Sequence, residues 1–170
     1  MGDRFAECLP HILHHEGGWA DHPKDPGGAT MRGITLAVFR EWTGKQSTKA
    51  ELKAISDETV AAIYRKNYWF PSHCDKLPAG VDLIVFDLAV NSGPGRARKF
   101  LQEAVGAEPD GVIGAKTLAA VAALPPREVI LRLRNRRERF YRGLATFATF
   151  GKGWMRRLSE VAVAADRMTK

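Results

Sequence analysis

The sequence lacks the usual marks of a membrane-spanning or secreted protein. No apolar run approaches the ~20 residues of a transmembrane helix. The N-terminus, M-G-D-R-F-A-E-C-L-P-H, carries charged residues where a signal peptide has an apolar core. Cysteine is also scarce: we expect Cys8 and Cys74 to be reduced thiols, with a disulfide as the alternative. We therefore expect synthesis in the cytoplasm without a Sec signal peptide.

Two-residue alternation, the pattern of a half-buried strand, is nearly absent, whereas helical spacing recurs along the chain. We predict an all-α protein with at most a small β-hairpin within residues 24–36. The most apolar stretch, Val81 to Val90, predicts a central core helix because it is hydrophobic on nearly every side. Further helices are predicted over residues 3–16, 96–105, 127–146 and from Trp154 onwards.

The charge is distributed unevenly. Residues 1–126 carry 14 basic and 15 acidic groups, whereas residues 127–170 carry 12 basic and 4 acidic groups. This excess of arginine and lysine predicts either a solvated helix face or attraction to an anionic wall polymer or membrane surface. A nucleic-acid partner is not expected, because no recognisable nucleic-acid-binding module accompanies the basic stretch.

The segment from Glu16 to Thr35, E-G-G-W-A-D-H-P-K-D-P-G-G-A-T-M-R-G-I-T, is too rich in glycine and proline for a regular helix or central strand. It places Asp25 nine positions after Glu16 and Thr30 five positions after Asp25. A glycosidase needs one carboxyl to protonate the leaving oxygen and a second group to activate water. A helix end followed by a capped turn would explain the same residues without catalysis.

The helix that precedes this segment gives Glu16 a separate argument. Phe5, Leu9, Ile12 and Leu13 recur at helical spacing, and Glu16 continues that apolar face. A carboxyl on such a face is partly desolvated, which favours its neutral form and suits a general acid.

The pattern E-G-G-W-x5-D-P-G-G-A-T-x-x-G-I-T resembles the signature of the glycoside hydrolase 108 family, lysozyme-like N-acetylmuramidases found as phage endolysins and secretion activator proteins. F-D-L-A-V-N-S-G-P-G-R-A, L-Q and D-G-V-I-G-A-K-T-L, within residues 78–124, resemble the peptidoglycan-binding region that accompanies it. The resemblance implies a lysozyme-like, two-lobed helical fold. The catalytic lobe would be residues 1–77 and the second lobe residues 78–170, packed as one unit.

The resemblance also implies that Glu16 is the catalytic acid, with Asp25 directing water and Thr30 assisting it. In phage-type lysozymes the threonine usually stands one residue further on, at Met31 here, so Thr35 is a reserve candidate. The expected reaction is hydrolysis, with inversion, of the β-1,4 bond between N-acetylmuramic acid and N-acetylglucosamine. No cofactor is expected. The substrate lies in the periplasmic or extracellular wall, so a holin or another export route is expected.

Aromatic and amide side chains are candidates for contact with the sugar: Trp19, Tyr64, Tyr68, Trp69 and Asn91. Core packing is the alternative for Tyr64 and for Trp69. Asn91 shares a helix face with Asp87, which we predict to be a satisfied buried carboxyl or a cap partner. Asn91 itself stands at the break after the core helix, where it could face the cleft.

The sequence also allows two other classes of function. His11 and His15 are four residues apart, a spacing that can hold zinc, although no H-E-x-x-H motif is present; a zinc-dependent amidase is therefore the less favoured alternative. A non-catalytic wall-binding or secretion-accessory protein is the other alternative.

Overall fold

The computed structural model describes residues 3–21 and 28–170, and this part of the chain is mainly α-helical. Its helices are α1 (Arg4–Glu16), α2 (Leu36–Thr43), α3 (Lys49–Lys53), α4 (Asp57–Tyr64), α5 (Val81–Ser92), α6 (Pro94–Ala104), α7 (Ala115–Ala122), α8 (Pro126–Arg142) and α9 (Phe147–Arg167). Three two-residue strands form an antiparallel sheet in the order β1 (Trp19–Ala20), β2 (Thr30–Met31) and β3 (Ile34–Thr35). The predicted all-α class is confirmed. The β2–β3 hairpin lies within the predicted 24–36 range, and β1 adds a strand that the sequence did not predict.

Helix α1 is held at its N-terminus by two contacts. The Asp3 carboxylate accepts a hydrogen bond from the Phe5 amide and so caps the first turn of the helix. Arg4 forms an ion pair with the fully buried Asp82 of α5, with 2.9 Å between Nε and Oδ2. Phe5, Cys8 and Ile12 face the core, and Pro10 lies within the helix without ending it.

The short helices after the sheet follow their capping signals. The Thr35 hydroxyl accepts from the Val38 amide at the start of α2, and Gly44 ends that helix in the left-handed conformation. Thr48 and Glu51, three residues apart, form a capping box at the start of α3. Helix α4 continues directly into a π-helical segment, Arg65–Trp69, and then into two 3-10 turns, Phe70–Ser72 and Cys74–Lys76.

Helix α5 is the central helix, as predicted. Every residue from Val81 to Ala89 is buried, and the helix packs against α1, α6, α8 and α9. Phe86 contacts the rings of Phe5, Tyr64 and Trp69, with centroid distances between 5.2 and 6.4 Å. Trp69 is therefore a core residue.

The last two helices differ from their predicted bounds. Helix α8 ends at Arg142, before the predicted 146, and α9 begins at Phe147 instead of Trp154. The first part of α9 contains Gly151 and Gly153, which are unfavourable inside a helix. In the structure, a Cβ on Gly151 would lie 2.6 Å from ring carbons of Phe147, so a side chain there would displace that ring.

The two cysteines are free and buried. Within residues 3–21 and 28–170, no helix is both long enough and apolar enough to cross a membrane.

Candidate active site

Glu16 is the last residue of α1, and a cation from the C-terminal helix holds its carboxylate. Arg157 of α9 places Nη1 2.7 Å from Oε1 of Glu16, and the side chains of Arg157 and Glu16 are 15% and 18% exposed, respectively. The sequence predicted an apolar surrounding for Glu16. The structure instead places a guanidinium against one oxygen, and the resulting ion pair fixes the orientation of the carboxylate.

The turn between β2 and β3 packs against the other side of Glu16. Gly33 has a φ of 76°, and a Cβ at this position would lie 2.8 Å from Oε2 of Glu16 and 2.5 Å from the Tyr64 hydroxyl oxygen. That hydroxyl donates a hydrogen bond to the carbonyl oxygen of Arg32, with 2.7 Å between the oxygens. A glycine at position 33 therefore lets the turn, Tyr64 and the carboxylate meet at one point.

Arg157 is held in turn by the buried Asp87 of α5. Arg157 donates from Nε to Oδ1 of Asp87 at 2.9 Å, and Arg137 of α8 donates from Nη2 to Oδ2 at 2.8 Å. Arg137 also donates to the Tyr141 hydroxyl, which donates to Oδ1 of Asn91, both over 2.9 Å. Glu16 is thus the first member of a charge network that extends through Arg157, Asp87, Arg137 and Tyr141 to Asn91.

The two arginines determine the ionisation of Asp87. Burial alone would raise the pKa of this fully buried carboxyl, but Arg137 and Arg157 more than offset that effect, so its pKa lies below the ordinary value. Asp87 therefore remains negatively charged. The prediction of a satisfied buried carboxyl at this position agrees with these contacts.

The remaining predicted catalytic residues lie on the sheet or outside the described part. Thr30 is the first residue of β2 and pairs with Ala20 and Thr35. Thr35, the reserve candidate, uses its hydroxyl to cap α2. Asp25 lies outside the described residues.

The predicted sugar-contacting residues differ in their exposure. Tyr64 is buried, so it packs beneath Glu16 instead of presenting its ring to a sugar. Burial, followed by the nearby Glu16, raises the pKa of its hydroxyl. Tyr68 is half-buried, with its pKa raised by burial and then by Glu16. Trp19 is half-buried in β1, with the Lys53 ammonium 5.7 Å from its ring centroid. Asn91 is exposed at the far end of the charge network.

Sequence reasoning missed Arg137 and Arg157. Arg137 had a usable signal, because it stands four residues after Leu133 and four before Tyr141, on the buried face of α8. The basic residues of this region are expected on a solvated face or against an anionic partner, and the fully buried Arg137 departs from that expectation. Arg157 gave no such signal, since its partners Glu16 and Asp87 are distant in the chain.

His15 lies beside a glutamate of α9. His15 lies 3.8 Å from Glu160 of α9, measured from Nε2 to Oε2, and burial followed by the nearby Arg157 lowers its pKa. In the part of the chain that the structure describes, no three histidine, cysteine or acidic side chains are grouped so that they could hold a metal ion.

Comparisons with known proteins agree with this architecture. Residues 9–93 match the glycosyl hydrolase 108 family, and residues 96–159 match a family described as a predicted peptidoglycan domain. Among solved structures, the chain is similar to SagA of Brucella abortus, with 50% sequence identity, a TM-score of 0.86, and coverage of 98% of this chain and 95% of that chain. A comparison with curated proteins found no match.

A mainly helical fold in which a half-buried glutamate ends the first helix, together with these matches, defines a lysozyme-like protein related to peptidoglycan. The chain belongs to the glycosyl hydrolase 108 family.

The first prediction concerns the close approach at Gly33. Gly33→Ala should destabilise the protein for two reasons: a non-glycine residue at positive φ costs about 1–2 kcal/mol, and the clash with Glu16 and Tyr64 adds about 1–3 kcal/mol. Gly44→Ala is the matched control, because Gly44 has a φ of 67° and a Cβ there would meet no neighbouring group within 4 Å. Urea unfolding of both variants measures the difference. Equal losses would contradict the close approach.

The second prediction concerns Asp87. Asp87→Asn leaves two buried guanidinium groups without their counter-charge and should cost about 3–5 kcal/mol of unfolding free energy at neutral pH. Because the folded-state pKa lies below the unfolded value of about 3.9, the stabilisation is present above that value and is lost as pH falls through the folded pKa. The deficit of Asp87→Asn should therefore shrink in acid.

The control for Asp87 is an exposed ion pair of the same kind. Asp166 pairs with Arg127, with 3.0 Å between Oδ1 and Nε and both side chains about half exposed. Asp166→Asn should cost at most about 1 kcal/mol. Denaturant unfolding of both variants between acidic and neutral pH makes the comparison, and an Asp87→Asn deficit that does not vary with pH would refute the assignment.

Proposed function

We propose that this protein is a peptidoglycan hydrolase of the N-acetylmuramidase type, with Glu16 as its general acid. The proposal rests on the position of Glu16 at the end of α1. Its side chain remains 18% exposed, and Arg157 forms an ion pair with one of its carboxylate oxygens. A general acid must be partly shielded from water and held in a fixed direction towards the bond that it protonates. Membership of the glycosyl hydrolase 108 family supports the same reaction class.

The proposed reaction cleaves the β-1,4 bond between N-acetylmuramic acid and N-acetylglucosamine. Glu16 delivers a proton to the glycosidic oxygen as the bond to the anomeric carbon breaks. Arg157 contacts Oε1 of Glu16 and thereby holds the carboxyl group in one orientation. After the leaving group departs, Glu16 is a carboxylate, and the adjacent guanidinium stabilises that product charge.

Asp25 is the proposed base, and Thr30 is proposed to hold the attacking water beside it. What supports this assignment is the pairing of β1 with β2, in which Ala20 lies opposite Thr30. Because Ala20 is only four residues after Glu16, this pairing keeps both ends of the segment that contains Asp25 close to the end of α1. On the face of the sugar opposite Glu16, the Asp25 carboxylate would remove a proton from water as the water attacks the anomeric carbon.

The third prediction tests Glu16 directly. Purified peptidoglycan sacculi treated with wild-type protein should release fragments with reducing muramic ends, identified by mass spectrometry. Glu16→Gln keeps the shape of the side chain but cannot donate an acidic proton, so the rate should fall by at least about 10²-fold. Glu7→Gln is the matched control, since Glu7 is an exposed glutamate on the same helix that pairs with Arg4.

Each other product pattern identifies a different class of protein. Anhydro-muramic ends would indicate a lytic transglycosylase, and released peptides with sensitivity to chelators would indicate a zinc amidase. Sacculi that are bound but not solubilised by wild-type protein would indicate a non-catalytic wall-binding protein. Retained activity in folded Glu16→Gln would remove Glu16 from its proposed role.

The fourth prediction concerns stereochemistry. If Asp25 activates water, the two carboxyl groups stand ~6.5–9.5 Å apart and the product forms with inverted configuration at the anomeric carbon. Proton NMR of a chitooligosaccharide or glycan-strand digest, recorded before mutarotation, should show the α-anomer first. Initial formation of the β-anomer would instead require a covalent or substrate-assisted route.

A further inference from the structure

The N-terminal half of α9 carries an aromatic stripe next to Glu16. Phe150, Trp154 and Arg157 stand at positions i, i+4 and i+7, which places them on one side of the helix. Phe150 is 55% exposed, and Trp154 is half-buried, with 5.9 Å between the two ring centroids. Arg157, the third member, contacts Glu16.

The direction of α9 brings this stripe past the end of α1. The two helices run antiparallel: Arg4 of α1 lies 3.5 Å from the Met168 sulfur, whereas Glu16 lies 2.7 Å from Arg157. Helix α1 stops at Glu16, but α9 continues in the same direction for a further ten residues, from Arg156 back to Phe147. With a rise of about 1.5 Å per residue, Phe150 lies about 10 Å beyond Arg157 along the helix axis.

An exposed amide lies beside this stripe. Trp154 packs on Tyr141 with 5.5 Å between ring centroids, and the hydroxyl of Tyr141 donates to Oδ1 of Asn91. That bond fixes the orientation of the Asn91 side chain and leaves its NH2 group available as a donor. Aromatic rings cover the apolar faces of sugars, while an amide can bond their hydroxyl and acetamido groups.

We propose that Phe150 and Trp154, together with Asn91, form a binding surface for N-acetylated sugar residues of a peptidoglycan strand. The surface is continuous with Glu16 through Arg157, so a strand bound there would extend from the cleaved bond along α9. This inference rests on the proposed function for its choice of ligand. The continuity with Glu16 favours a glycan over a protein partner.

Binding is measured without cleavage in the Glu16→Gln background. The probe is a set of soluble glycan strands, prepared from sacculi by removing the peptides with an amidase and titrated by calorimetry. Adding Phe150→Ala should weaken binding about tenfold, as expected for loss of one aromatic contact. Trp154→Ala should do the same or more, and Trp154→Phe should restore most of the affinity because it keeps a ring.

The matched control is Phe70→Ala. Phe70 is an aromatic of similar exposure, 52%, located near Phe5 at the opposite end of α1. It should leave strand binding unchanged. Thermal unfolding identifies any variant that is not folded. Since Phe150 is exposed, its replacement tests the surface even if Trp154→Ala unfolds the protein.

The outcomes separate this inference from the proposed function. Unchanged strand affinity in the folded Phe150→Ala variant, or no strand binding by the Glu16→Gln parent, would overturn the binding surface. The wild-type protein could release no reducing muramic ends while the Glu16→Gln variant binds strands in a Phe150-dependent manner. In that case the muramidase proposal fails, and the proposed binding surface is retained. Equal weakening by Phe70→Ala would also overturn it, because the effect would not be local.

Discussion

Asp87 places a carboxylate inside a helical core, where a single negative charge is costly unless cations neutralise it. Arg137 and Arg157 supply that positive charge from two different helices, α8 and α9, and both place nitrogen atoms within 3 Å of the carboxylate. The packing of the C-terminal helices against α5 is therefore defined by ion pairs as well as by apolar contact.

The same interaction connects the core to Glu16. Arg157 bridges a buried anion and a half-buried anion, so its position is fixed from both sides. Burial would lower the pKa of Arg157, but the two carboxylates raise it, and the arginine stays charged. The orientation of Glu16 thus depends on a residue near the end of the chain. The two family matches divide between residues 93 and 96, yet this network crosses that division.

The arginine-rich helix α8 illustrates how charge counted along a sequence can mislead. Arg137 is fully buried and neutralises Asp87, whereas Arg132, Arg136 and Arg142 pair with nearby glutamates. Arg136 and Arg96 also lie over aromatic rings of the α6–α8 interface. Much of the positive charge of this helix therefore serves packing within the protein, and less of it is available to an external partner than its composition suggests.

The local elements follow from the amino-acid sequence alone. Caps at Asp3, Thr35 and Thr48, the largely apolar run of α5 and the helical phase that ends at Glu16 all depend on neighbours a few residues apart. Local spacing is therefore enough to predict them. The surroundings of Glu16, in contrast, are set by tertiary packing. Arg157 is 141 positions away from it, and Gly33 and Tyr64 reach it through a turn and a separate helix. Sequence spacing contains no information about such contacts, because they form only when the packing of α9, α4 and the β2–β3 turn against the end of α1 brings distant side chains together.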